Sequence, residues 1–173
     1  MNVVVRPWHQ DSLETVRSIL LKSWKESYSN FIPAEDLLAY FNDHVTMEIL
    51  TEQLHDPGIN GYIAECDGHA AGFEKTHYHE SEHRFSVLQL YILSSYQNRG
   101  LGRLLMKTAA ERARSLGSDK VWLGVMVKNT PAVEWYTKMG YEVTEHAPFT
   151  MGSTTVDHMI GYVPVGRILT DAT

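Results

Sequence analysis

With 173 residues, 43% apolar and 21% charged, the chain can fill one core and is too short for two ordinary domains. A formal charge of −6 argues against a nucleic-acid partner, and no apolar run approaches the ~20 residues that span a bilayer. One cysteine, Cys66, excludes an internal disulfide, and the N-terminus lacks a basic region leading into a long apolar stretch. The expectation is a single domain over 1–173, cytoplasmic, with no membrane and no nucleic-acid partner.

Val3-Val4-Val5-Arg6 reads as an opening strand closed by Pro7. Asp11-Ser12 predicts the cap of a helix with Val16, Leu20, Trp24 and Tyr28 on one face. A second short helix opens at Ile32–Asp36 and runs through Leu37, Leu38, Tyr40 and Phe41; a third spans about Val45 to Leu54. The period then changes to two. Tyr62–Cys66, a turn at Asp67-Gly68 and Ala70–Lys75 predict a hairpin. Thr76 to Arg84 is polar and reads as a loop or a strand extension.

Val87 to Leu93 is a buried strand, followed by the turn Gln97-Asn98-Arg99-Gly100-Leu101-Gly102. Leu101, Leu104, Leu105, Ala109, Ala113 and Leu116 then recur at helical spacing. Val121 to Val127 is an apolar strand. A short helix starts near Thr130-Pro131, carries Ala132, Trp135, Tyr136 and Met139 on one face and stops at Gly140. Two strands remain, around Tyr141–Thr144 and Thr155–Tyr162. Hairpins first and a strand–helix–strand unit later imply a mixed α/β sheet with helices on both faces.

A strand, a glycine turn and a helix start expose unpaired N–H groups at the positive end of a helix dipole, a seat for a pyrophosphate. Gly100 and Gly102 let the backbone approach an anion, and Arg99 and Arg103 add positive charge. The turn alone is weak, because dinucleotide-binding folds use similar ones. A nicotinamide-type site fits poorly: the turn follows a run of hairpins, and Val121 to Val127 offers no acid for a ribose hydroxyl.

The combination of Gln97-x-x-Gly100-x-Gly102 with Asn129-x-x-Ala132-x-x-x-Tyr136-x-x-x-Gly140-Tyr141 resembles the GCN5-related N-acetyltransferase (GNAT) superfamily. The resemblance implies a mixed, largely antiparallel sheet of about seven strands with a V-shaped splay, flanked by four or five helices. It implies acetyl-CoA as cosubstrate and no metal. Pantetheine would lie along the strand edge at Tyr91, Ile92 and Leu93, with a bulge helping the strands part. The turn Gln97, Asn98, Arg99, Gly100, Leu101, Gly102, with Arg103, would hold the pyrophosphate. An N–H near Ile92 would polarise the thioester carbonyl. Asn129 would cap its helix and bond pantetheine, and Tyr136 would protonate the departing thiolate.

The general base departs from the family pattern. Many relatives carry a glutamate in the central strand, where this chain reads Leu88-Gln89-Leu90-Tyr91. Glu74 on the preceding strand, or a histidine of His77-Tyr78-His79, could substitute, and water could suffice. The histidines complete no zinc spacing. From Trp122-Leu123-Gly124-Val125 to Phe149-Thr150-Met151-Gly152 and Asp157 the chain is similar to bacterial spermidine/spermine acetyltransferases of the PaiA kind. That likeness implies a small-molecule amine, with a polyamine as one acceptor, and Glu26, Glu35, Asp36 and Asp43 could steer a polycation or form a solvated helix face. Acetylation of a protein N-terminus or lysine, and an acyl-CoA-binding regulatory module without turnover, stay open. Homodimerisation follows by family analogy alone.

Overall fold

A computed structural model of the chain describes residues 1–170; the last three residues of the expected domain lie outside them. Seven strands form one sheet in the order β1-β2-β3-β4-β5-β7-β6. The strands are β1 Val3–Pro7, β2 Ile59–Cys66, β3 His69–His79, β4 Arg84–Ile92, β5 Lys120–Met126, β6 Glu142–Met151 and β7 Thr154–Pro164. The helices are α1 Leu13–Tyr28, α2 Ala34–His44, α3 Met47–His55, α4 Leu101–Ser115, α5 Thr130–Lys138 and α6 Val165–Thr170. All neighbouring pairs are antiparallel except β4 and β5.

The predicted faces bury as expected. Val16, Leu20, Trp24 and Tyr28 of α1 join Leu37 and Phe41 of α2 and Leu50 of α3 in a core against one side of the sheet. On the other side Met106, Ala109, Ala110 and Ala113 of α4 pack with Tyr136, Val121, Leu123 and Val125. Each helix thus covers the sheet with its apolar stripe, the ordinary way amphipathic helices gain stability.

Three local readings change, and one left open is decided. Ser12 does not cap α1 with its side chain; its hydroxyl turns back to His9, accepting from the His9 N–H at 2.7 Å. Thr76 to His79 extends β3, and β4 begins at Arg84, so the polar stretch is strand with a tight turn at Glu80–Glu82. β6 runs on to Met151, well past Thr144. A sixth helix, α6, adds to the four or five expected and buries Val165 and Ile168 beside α4.

The β6–β7 ribbon is closely fitted. A Cβ built on Gly161 would fall 2.0 Å from the Glu142 carbonyl oxygen, a backbone atom that cannot swing away. Gly161→Ala is expected to destabilise the fold by about 1–3 kcal/mol through overpacking. Its melting temperature should fall by several degrees, at about 2–4 °C per kcal/mol for a chain of this size, which a thermal melt would read.

Candidate active site

β4 and β5 meet at one register position, Ser86 opposite Trp122, and part beyond it. Strands lying side by side but unpaired leave one edge of N–H and C=O groups open. The bulge expected near the splay lies on the other edge of β4. Lys75 pairs with Gln89 and Thr76 with Val87, which leaves Leu88 unpaired and 46% exposed. The extra residue reverses the alternation of side chains. Phe85 and Val87 point to the α4 side, yet so do Leu90 and Ile92, while Tyr91 faces α1.

The turn after β4 has the geometry an anion seat requires. Asn98 and Gly100 both adopt left-handed conformations, φ 61° and 82°. The first hydrogen bond of α4 runs from the Leu104 N–H to the Gly100 carbonyl at 3.0 Å, and no side chain caps the helix. The amides ahead of Leu104 are therefore not consumed by the helix. A Cβ on Gly100 would meet nothing within 4 Å, so the space in front of the turn is open.

The remaining turn residues divide. Gly102 also answers to packing: a Cβ there would lie 3.1 Å from the Trp135 ring, so its small size seats α5 against α4. Arg99 is drawn back, stacking over Tyr96 at 5.4 Å and donating to the Ser95 carbonyl at 3.2 Å, while Arg103 stands exposed on the first turn of α4. The Gln97 amide donates to the Ile92 carbonyl at 3.1 Å, tying the turn to the strand end. Leu101 is buried beneath the turn, and Leu93 N–H bonds the Ala71 carbonyl at 2.9 Å, so Leu93 ends the pairing with β3.

Tyr136 is buried on α5, with its ring 4.9 Å from Trp135 and 6.0 Å from Tyr141. Burial, then the Glu74 carboxyl, Tyr28 and Tyr141, push its phenol above the usual range, so it holds its proton. Tyr141 anchors the assembly by donating from its hydroxyl toward the Leu123 and Met159 carbonyls, 3.1 and 3.2 Å away on β5 and β7. Asn129 occupies the cap position of α5 but makes no side-chain cap; its carbonyl accepts from Val133 at 3.0 Å. The Asn129 side chain is half-buried.

Glu74 lies opposite Leu90, level with the open part of the splay, and faces the α4 side. It is fully buried, neither oxygen has a hydrogen-bond partner among the described residues, and burial raises its pKa well above the usual carboxylate range. His77 and His79 lie with ring centroids 3.7 Å apart, tilted 46° to one another, at the other end of β3, opposite Ser86 and Arg84, where β4 and β5 are still closed. The structure therefore brings Glu74, and not the histidines, to the level of the splay. Among the described residues no group of three or more His, Cys, Asp or Glu could hold a metal.

On the α1 side sits a feature the sequence does not announce. The Tyr28 and Tyr91 hydroxyls hydrogen-bond at 2.7 Å, joining α1 to the splayed strand. Burial raises both phenols, so both stay neutral. Two carboxylates fasten the surrounding helices. Glu26 accepts from the Ser94 N–H and hydroxyl, each at 3.0 Å. Asp36 accepts from the Ser153 N–H at 3.1 Å and the Thr154 hydroxyl at 2.6 Å, clipping α2 to the β6–β7 turn. Tyr28 was legible only as a member of the α1 stripe, and the long-range Asp36 clip left no local signal.

Residues 14–141 match the Acetyltransferase (GNAT) family, and the chain belongs to it. Enzymes of this family are N-acetyltransferases that use acetyl-CoA, which fits the open strand edge and the uncapped start of α4. The chain is 27% identical over 149 residues to a spermidine N(1)-acetyltransferase of Escherichia coli K12, covering 82% of this chain and 74% of that one. It is 28% identical over 144 residues to an L-amino acid N-acetyltransferase of the same strain, covering 82% and 83%. Among solved structures, the PaiA N-acetyltransferase of Thermoplasma acidophilum in complex with coenzyme A superposes with a TM-score of 0.78 at 22% identity, over 91% of this chain and 98% of that one. No helix among the described residues is long and apolar enough to cross a membrane.

Proposed function

We propose that the chain transfers an acetyl group from acetyl-CoA to a primary amine of a small molecule by direct attack in a ternary complex. The observation that carries this reading is the single register position joining β4 to β5, with the uncapped start of α4 at one end of the opening and Tyr136 beside it. Acetyl-CoA supplies the acyl group as a thioester. The open edge from Tyr91 to Leu93 would take the pantetheine amides, with the Asn129 side chain as a further contact. The amides of Leu101 and Gly102 and the Arg103 cation would hold the pyrophosphate. Tyr136, kept protonated by its surroundings, donates a proton to the leaving sulfur. Glu74 is proposed as the group that receives the amine proton.

The Asp36 clip favours a small acceptor over an extended peptide, because it fastens α2 to the β6–β7 turn where a peptide would need an open groove. Thiol release from acetyl-CoA, followed across polyamines, amino acids, arylalkylamines and short peptides, tests the proposal. Turnover on one small-amine class is expected, with saturable acetyl-CoA binding by calorimetry. Preferred turnover of peptides would replace the acceptor assignment with the protein-directed one, and binding without turnover would favour a regulatory module. Failure to bind acetyl-CoA would remove the reading altogether.

A further inference from the structure

Six aromatic rings form an unbroken chain of contacts on the sheet face opposite α4, from one lip of the splay to the other. Tyr91 on β4 meets Tyr28 at 6.4 Å, and Tyr28 meets Trp24 at 6.4 Å, both on α1. Trp24 meets Tyr40 of α2 at 6.1 Å, Tyr40 meets Phe149 of β6 at 5.6 Å, and Phe149 meets His158 of β7 at 5.5 Å. The His158 ring ends the chain on β5, since a Cβ on Gly124 would fall 2.2 Å from its Nε2. Trp24 and Tyr28 are buried behind, while Tyr91, Tyr40, Phe149 and His158 each keep part of their surface exposed. The rings therefore arch over the opening on the side away from the α4 pyrophosphate seat.

Several of the charges around this arch are already engaged. The two carboxylates with which α1 and α2 reach the sheet, Glu26 and Asp36, spend their oxygens on Ser94 and on Ser153 with Thr154. Asp157, next to His158, pairs instead with His146 at 2.9 Å. Lys75 lies under α3 and donates to the Gln53 side chain at 2.8 Å, so it is not presented to a substrate carboxylate. Burial holds the His158 imidazole below its usual pKa, which keeps it neutral. The Trp24 indole N–H is buried, lies toward the Tyr91 hydroxyl and has no hydrogen bond of good geometry. What the arch offers a ligand is aromatic faces and phenol oxygens. Aromatic faces attract an ammonium by their quadrupole, and neutral phenol oxygens accept its N–H groups.

We infer that the acceptor is an arylalkylamine-type substrate, one primary ammonium on an apolar aromatic body, received by the arch of Tyr91, Tyr28, Tyr40, Phe149 and His158. This assignment rests on the acetyltransferase reading and narrows it. A polyamine would bring further ammonium groups to a site whose carboxylates Glu26, Asp36 and Asp157 are already bonded, and an amino acid would bring a carboxylate where Lys75 already donates to Gln53. An aromatic body instead matches the Phe149 ring and the Tyr40 ring, one face of which is stacked by His44 at 3.8 Å.

The test measures thiol release from acetyl-CoA with 2-phenylethylamine, spermidine and phenylalanine in parallel, on the wild type, Phe149→Leu and Phe149→Tyr. The expected kcat/KM for 2-phenylethylamine exceeds that for the other two by about tenfold or more, the ratio a single cation–π and stacking site supplies. Phe149→Leu, which keeps apolar bulk but removes the ring, should raise KM for 2-phenylethylamine several-fold with the acetyl-CoA KM unchanged. Phe149→Tyr should restore it. Preference for spermidine or phenylalanine would overturn the inference while leaving the acetyltransferase reading intact. An unaltered KM in Phe149→Leu would overturn the role of the arch. Absence of turnover on every amine would overturn both.

Discussion

Tyr136→Phe is expected to lower kcat by about 10²–10⁴, the range removed with a positioned general acid, equivalent to roughly 3–5 kcal/mol of barrier. Acetyl-CoA affinity should stay within a factor of about two, because the substitution keeps the ring that packs on Trp135 and Tyr141 and deletes only the hydroxyl. Phe at this position also leaves the Tyr141 anchor between β5 and β7 in place. The pH profile adds a second readout. A phenol raised by burial and by the neighbouring Glu74 stays protonated beyond the ordinary tyrosine range near ~10. The wild-type rate should therefore hold its alkaline plateau to about pH 10, with no limb from a phenol titrating near its ordinary value. An unchanged kcat in Tyr136→Phe would leave Tyr136 as a core aromatic and place the acid elsewhere. An alkaline limb in the wild type with that midpoint would show that the hydroxyl is less buried during turnover.

The division between what was legible and what was not follows the range of the forces involved. Helix faces announce themselves at spacings of three and four, so α1 and α4 could be read from Val16 to Tyr28 and from Leu101 to Ala113 before any coordinate. The splay was legible only through the resemblance of Gln97–Gly102 and Asn129–Tyr141 to a family. Its local cause was hidden, because Leu88 sits in an apolar run where a one-residue register shift changes no residue type yet reverses which face Leu90 and Tyr91 present. A second role of Gly102 and Arg99 was hidden for a related reason. Motif position says that glycine and charge occur there, but it does not show that Trp135 from another helix packs where a Cβ of residue 102 would stand, or that the Arg99 guanidinium meets Tyr96 and Ser95. Contacts between residues far apart in sequence, such as Asp36 with Thr154 or Tyr40 with Phe149, carry no local pattern at all. These contacts form the side on which the acceptor is proposed to bind.

Glu74 should show the opposite pairing of effects, a gain in stability with a loss of turnover. A fully buried carboxyl without a hydrogen-bond partner carries a desolvation cost of about 1–3 kcal/mol, more when ionised. Its pKa is raised in the folded state, so the fold binds this proton more tightly than the unfolded chain does. Its contribution to stability is full below the unfolded carboxylate pKa and is lost as pH rises through the folded value. Glu74→Gln removes that titration, and the melting temperature of the variant should exceed that of the wild type by a margin that grows from acid to alkaline pH. If Glu74 receives the amine proton, the same variant should lose about 10²-fold or more in kcat with acetyl-CoA binding preserved. Stability gained with kcat unchanged would make Glu74 a buried structural acid and route the amine proton through water. A melting difference that shrinks toward alkaline pH would contradict the raised pKa itself. Its cost to stability, its level beside the open half of β4 and its electrostatic influence on Tyr136 together support the role proposed for Glu74.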